Sequence, residues 1–193
     1  IDPLVSQAYG AKEITQLQVI LQHGFISTGL FLPLYCGLLY FAGDILILLG
    51  QDTDLSSVAH QYCRVFLWAT PFDLAFYVLA KWLQGQKVVR ITTVAVVLAN
   101  IVNVIGNYFF IYFLNFGVVG SALSTVLCTV FQFAVLAYLS RNYWFPVWQK
   151  RFVLDPTHLS KQFRLGIPVS LQISFECWGF TATTVLVGWM GEV

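Results

Sequence analysis

ITTVAVVLANIVNVIGNYFFIYFLNFGVVGSALSTVLCTVFQFAVLAYLS, residues 91–140, contains no Asp, Glu, Lys or Arg. One interruption, LNFG at 114–117, reads as a tight turn between two helices. Each flanking run is long enough to cross a bilayer, which takes about 20 mostly apolar residues per helix. A helix in the core of a soluble domain would not need apolar runs of that length. The fold class that follows is an all-α, polytopic membrane protein.

Working outward, the same reasoning places five transmembrane helices, at residues 24–49, 57–82, 88–113, 117–139 and 163–190. Composition agrees. The chain has 193 residues, 58% hydrophobic and 10% charged, whereas soluble domains carry about 25% charged residues. A net charge of +1 offers too little positive charge to neutralise many phosphates, so nucleic acid is excluded as a partner. Cys36, Cys63, Cys128 and Cys177 lie far apart with no Cys-x-x-Cys spacing and read as packing residues. The start, IDPLVSQAYGAKE, has no initiator Met, basic region or apolar region of a signal peptide, and the sequence is expected to be a fragment.

Loop charges set an orientation. Lys12, Lys81, Lys87, Arg90, Arg141, Lys150, Arg151, Lys161 and Arg164, all but one of the 10 basic residues, fall on one side of the five-span arrangement. Short cytoplasmic loops collect Lys and Arg, so this side, with the N-terminal end, is expected to be cytoplasmic. Trp82, Tyr143, Trp144 and Trp148 fall near that interface and Trp189 near the other, as aromatic belts do. YWFPVWQKRF, residues 143–152, is expected to lie flat in the interface, although Pro146 weakens a regular helix there.

The polar groups within the spans are the candidates for function. Glu176 is the one charge in the apolar stretch 165–191. A charge at the bilayer centre costs about 2.5–3.5 kcal/mol, so such residues usually serve a function. Gln172 one turn before it, and Gly179 and Thr183 one and two turns after, share its helix face. A carboxylate there can exchange a proton for a metal cation or a cationic solute. The bland alternative is a protonated Glu hydrogen-bonded for packing. Asn100, Asn103 and Asn107 form a second stripe, suited either to solute or ion passage or to interhelical hydrogen bonding. Asp73 follows Pro71 and shares a face with Thr70 and Tyr77. Arg64 lies roughly 13 Å away along a straight helix and could pair with Asp73 only across a bend.

Ser121, Ser124, Cys128 and Gln132 line up on the fourth span, where Gly117, Gly120 and Ser121 favour close packing. His23, His60 and His158 are isolated, expected at interfaces or in loops, and form no metal set or catalytic triad. No Walker loop or Rossmann glycine motif is present, which gives no support to an ATP-driven pump.

Five motifs in order resemble the multidrug and toxic-compound extrusion (MATE) family. DPLVSQAYGAK (2–12) resembles the family's loop after its second helix, and KWLQGQ (81–86) the end of the fourth. VNVIGNYFFIY (102–112) resembles the fifth helix, FGVVGSALST (116–125) the entry to the sixth, and FRLGIPVSLQISFE (163–176) the seventh with its acidic residue. The resemblance implies a twelve-helix fold of two lobes. Residues 1–160 would be part of the N-terminal lobe: the end of helix 2, helices 3–6 and the cytoplasmic loop after them. Residues 161–193 would be the first helix of the C-terminal lobe, helix 7. It also implies antiport of organic cations or other amphipathic solutes against Na⁺ or H⁺, with no cofactor beyond that coupling ion, by a multi-pass and monomeric protein in a lipid bilayer. Glu176 would match the seventh-helix acidic position for cation or substrate, and be a possible Na⁺ site. Asn103 and Asn107 would match polar positions of the fifth. Asp73 and Gln172 have no such match and stay as candidates from their own placement. Some animal members carry a second Glu where this chain has Thr181, a departure that points to a bacterial-type site and a bacterial inner membrane. The alternative is a lipid-linked oligosaccharide flippase of related fold, which should show a larger basic lining. An enzyme would need a positioned nucleophile and base that no motif supplies.

Overall fold

The computed structural model describes residues 1–148 and 156–190. The chain forms two compact units, Ile1–Val153 and Leu154–Val193. In the first unit the order is α1 (Asp2–Gly10), α2 (Ile14–Tyr40), α3 (Ala42–Leu48), α4 (Thr53–Phe66), α5 (Thr70–Gly85), α6 (Val89–Asn107), a π-helix (Tyr108–Phe113), α7 (Gly117–Leu139) and α8 (Arg141–Trp148). The second unit carries α9 (Pro156–Met190).

The first stretch is not a loop. Asp2 and Pro3 open a nine-residue helix, since an early Pro loses no helical hydrogen bond and an acid suits the positive helix start. Leu4, Val5 and Ala8 are buried against α5 and α2. Gly85 makes this docking close: a Cβ there would lie 2.7 Å from both Cβ and Cγ1 of Val5.

Two helices end in the same way. The Glu13 N–H donates to the Ala8 carbonyl at 2.9 Å and the Val88 N–H to the Leu83 carbonyl at 3.0 Å. Such six-to-one bonds need a left-handed residue just past the helix, supplied by Lys12 (φ 58°) and Lys87 (φ 64°). The turn at 114–117 likewise uses Asn115 (φ 55°) and Gly117 (φ 53°). Lysine tolerates this conformation at a cost and returns a cation to the negative helix end. Lys87→Val, with a branched Cβ in a left-handed position, should therefore lower stability by about 1 kcal/mol. Lys87→Gly should leave it unchanged or raised. Thermal unfolding of the two variants in detergent checks the order.

Among the described residues, three helices are long and apolar enough to span a membrane: Ile14–Tyr40, Val89–Phe113 and Gly117–Leu139. The pair Thr53–Phe66 and Thr70–Gly85 makes a fourth if counted as one span, bent by 66°. The expected third and fourth spans match closely. The first begins ten residues earlier than hydropathy placed it and ends before the short α3. The second is broken ahead of Pro71, which has no N–H for the ladder. The fifth falls on α9, 35 residues long but not apolar enough to be counted with the others.

The core joins α1, the start of α2, the end of α5, Leu136 of α7 and Val147 of α8. Trp82 belongs to it. It is 2% exposed and its indole N–H donates to the Leu17 carbonyl at 2.8 Å, so it is a packing residue rather than a member of an aromatic belt. His23 is also fully buried, on α2 rather than in a loop, with Nδ1 2.8 Å from the Val19 carbonyl oxygen. Gln22 ties α2 to α8 by donating to the Val147 carbonyl at 3.4 Å. The helix α8 forms through Pro146. Residues 149–152 of the expected interfacial stretch, and the side chains of Trp148, His158 and Trp189, lie outside the described residues.

Helix α6 leaves Val94, Val97, Ile101, Val104 and Ile105 exposed on the side away from α7. An apolar ridge of that size is out of place in water and suits lipid or further helices. Between α6 and α7 the contact is close because the residues are small: Ala95, Ala99 and Gly106 on one side, Gly120 and Ser124 on the other, all buried. Membrane helices associate through this kind of packing.

Candidate functional site

The α6–α7 seam carries a polar layer. The Asn107 amide donates to Asn103 Oδ1 at 3.0 Å, and both residues are half-buried. Ser124 Oγ on α7 donates to the Asn103 carbonyl at 2.9 Å, and Cys128 Sγ contacts the Ala99 carbonyl at 3.2 Å. Tyr62 on α4 extends the layer, its hydroxyl 2.9 Å from Thr125 Oγ1. Asn100 does not join the pair. It is exposed and donates back to the Val96 carbonyl of its own helix at 2.9 Å. Among the described residues, Asn107 Oδ1 is buried and has no hydrogen-bond partner. Buried polar atoms are nearly always satisfied, so this oxygen is an acceptor open to a donor or a cation.

Asp73 sits in the first turn of α5, just past the bend, where a carboxylate complements the positive helix end. Its backbone N–H donates to the Ala69 carbonyl at 2.9 Å. Tyr35 of α2 lies within electrostatic reach of Asp73, Tyr77 and Cys63. Along the face expected from spacing, Thr70 is buried, Asp73 half-buried and Tyr77 exposed. Arg64 is not Asp73's partner despite the bend. Its guanidinium donates to the Tyr40 hydroxyl at 3.1 Å and lies 5.0 Å from the centre of that ring.

Glu176 and Gln172 stand on α9, in the second unit, both exposed along it. The helix runs through Pro168, and Thr183 bonds to the Gly179 carbonyl at 2.9 Å. Thr181, at the position of the missing second Glu, bonds to the Cys177 carbonyl at 3.0 Å. The α9 face therefore offers one carboxylate, one primary amide and hydroxyls already engaged with backbone. In the first unit the oxygen-bearing candidates expected from sequence and at least half-buried are Asp73 and the Asn103–Asn107 pair. Among the described residues, no three or more His, Cys, Asp or Glu side chains converge to hold a metal ion.

Sequence reasoning passed over Tyr35, Tyr62 and Thr125. Each is a polar tip inside an apolar run, and the partner of Tyr62 lies 63 residues along the chain. Only tertiary contact reveals them.

The MatE family model matches residues 1–109. Multidrug and toxin extrusion protein 1 of Oryctolagus cuniculus is 33% identical across all of this chain and 34% of its own length. The human protein of the same name is 31% identical with the same coverage. Multidrug and toxin extrusion protein 2 of Mus musculus is 32% identical, over 97% of this chain and 33% of its own. The chain thus spans about a third of the length of the curated relatives it matches. In the crystal structure of the eukaryotic MATE transporter AtDTX14 the same fold recurs, with a TM-score of 0.82 at 23% identity, over 97% of this chain and 42% of that one.

Proposed function

The chain belongs to the MatE family, and on that premise we propose that the whole protein is a secondary transporter, not an enzyme, exporting organic cations or other amphipathic solutes against Na⁺ or H⁺. The observation that carries this reading is the match, along the whole chain, to proteins named for multidrug and toxin extrusion. A multi-pass membrane protein agrees with the apolar helices.

Glu176 is the centre of the proposed mechanism. Taking up H⁺ or Na⁺ from outside neutralises or occupies the carboxylate and weakens its hold on a cationic solute. The solute leaves outward, and the two lobes of the whole transporter return to face the cytoplasm. Coupling of this kind requires the ion and the solute to favour different states, since a ligand shifts an equilibrium only by its differential affinity. Gln172, on the same face, can orient either occupant. Asn103 and Asn107 are proposed to take part in cation or solute passage, and support comes from the buried, unpartnered Asn107 Oδ1. Asp73, in the first unit, is a further acidic candidate that a cation passing α5 would meet.

The relatives are animal proteins, so the expectation of a bacterial inner membrane rests on Thr181 alone. Ethidium efflux from vesicles containing the whole protein, with Na⁺ and pH gradients imposed separately, tests the reading. Efflux driven by one gradient identifies the coupling ion. No efflux under either gradient, with the protein present in the membrane, removes the multidrug reading and turns the test to translocation of lipid-linked sugars.

A further inference from the structure

Beneath α8 lies a cavity of about 300 Å³, lined by Phe25 of α2, Leu79 of α5, Phe133 and Ala137 of α7, and Trp144 of α8. Its volume is at the lower limit of ligand pockets. The lining offers no group to orient a polar solute. The one polar tip, the Trp144 indole N–H, is already donated to the Ala137 carbonyl at 2.8 Å. A half-open pocket with so apolar a lining favours an apolar occupant.

Arg141 opens α8 and is exposed. It is three residues before Trp144, so the two share a helix face. Its guanidinium is 4.5 Å from the centre of the Tyr138 ring, one residue beyond Ala137 of the lining. A guanidinium at the start of α8 repels an amphipathic cation and attracts a phosphate.

We propose that this cavity holds one acyl chain of an anionic phospholipid, with the lipid phosphate paired to Arg141. The site is separate from Asn103, Asn107, Asp73 and Glu176 and does not depend on which solute is exported. It would fasten α8 to α2, α5 and α7 through a lipid of the cytoplasmic leaflet.

Native mass spectrometry of the whole protein, titrated with dioleoyl-phosphatidylglycerol or dioleoyl-phosphatidylcholine, tests it. Phosphatidylglycerol should bind roughly five-fold more tightly, the factor expected for one basic residue near an anionic headgroup. Arg141→Gln, an exposed position, should erase that preference and leave phosphatidylcholine binding unchanged. Ala137→Phe should fill the cavity and remove both. If that variant does not fold, dihexanoyl-phosphatidylglycerol serves instead, and its short chains should bind more weakly than dioleoyl chains. Equal binding of the two lipids, or a preference that survives Arg141→Gln, overturns the proposal. So does glycerol 3-phosphate competing as well as intact lipid, which would make the site a headgroup site. Tetraphenylphosphonium binding more tightly than either lipid would assign the cavity to an amphipathic cation and overturn it as well.

Discussion

Replacing Glu176 with Gln should lower gradient-driven export of a cationic drug at least about tenfold, the factor that about 1.4 kcal/mol of lost interaction represents. Gln has nearly the shape of Glu and keeps its hydrogen-bonding capacity, but it cannot change charge. On α9 the carboxylate stands alone in an apolar stretch, accompanied on its face by Gln172, Gly179 and Thr183. Thr183 spends its hydroxyl on the Gly179 carbonyl, so it cannot replace the lost acid. A fixed neutral group binds the ion and the drug with little difference between states, and an equilibrium without differential affinity does not couple. Glu176→Asp, which keeps the charge on a stem shorter by one methylene, should retain part of the activity. Efflux under each gradient at matched protein level provides the readout. Export undiminished in Glu176→Gln would take this residue out of the mechanism.

Much of the fold was readable because apolar runs and turn residues agree along most of the chain. Residues 117–139 begin at the left-handed turn that Asn115 and Gly117 supply, and the helix occupies that range. The third span also kept its limits, but nothing in YFFIYF announces a π-helix, since its five-residue bonds depend on how α7 meets the chain. There, a Cβ on Gly120 would lie 2.8 Å from the Phe110 carbonyl oxygen. The start of α2 was missed because Gln18, Gln22 and His23 lower its hydropathy, although all three are buried. Helix α1 was missed because a resemblance to a loop outweighed Asp2 and Pro3, which are starting signals. The 66° bend could be placed by Pro71, but its size is set by packing.

The candidate site was legible as spacing and not as partnership. Helical period put Asn100, Asn103 and Asn107 together. In three dimensions the i, i+4 pair closes and Asn100 bonds to its own backbone, because only Asn103 and Asn107 flank the α7 seam. Arg64 was considered for Asp73 across a bend. The bend exists, yet the aromatic face and hydroxyl of Tyr40 take the guanidinium, an arrangement that suits a cation without removing a second charge from water. Trp82 shows the same limit: an aromatic at the end of a span looks like a belt residue until its indole is found bonded to α2.

Gly106→Ala should destabilise the α6–α7 pair by about 1–3 kcal/mol, as overpacking a close contact does. A Cβ at Gly106 would lie 2.5 Å from Ser124 Oγ and 3.3 Å from Ser124 Cβ. Ser124 is fully buried, and its hydroxyl is held by the bond to the Asn103 carbonyl. Two responses are open. The hydroxyl can rotate away, losing a hydrogen bond worth about 0.5–1.5 kcal/mol. Alternatively the helices separate, which loosens Ala99 and Cys128 along the seam. Either response disturbs Asn103, so export should fall with stability. The second substitution separates this account from a general intolerance of α6 to change. Ser124→Ala removes the atom in conflict and leaves only the milder 3.3 Å contact. The double variant should therefore be more stable than Gly106→Ala alone, although Ser124→Ala by itself costs stability. Residues in direct contact show such non-additivity, and distant ones do not. Thermal unfolding of the whole protein in detergent, across the four members of the cycle, measures it. Simple addition of the two single effects would mean that this helix crossing is not held at Gly106 and Ser124.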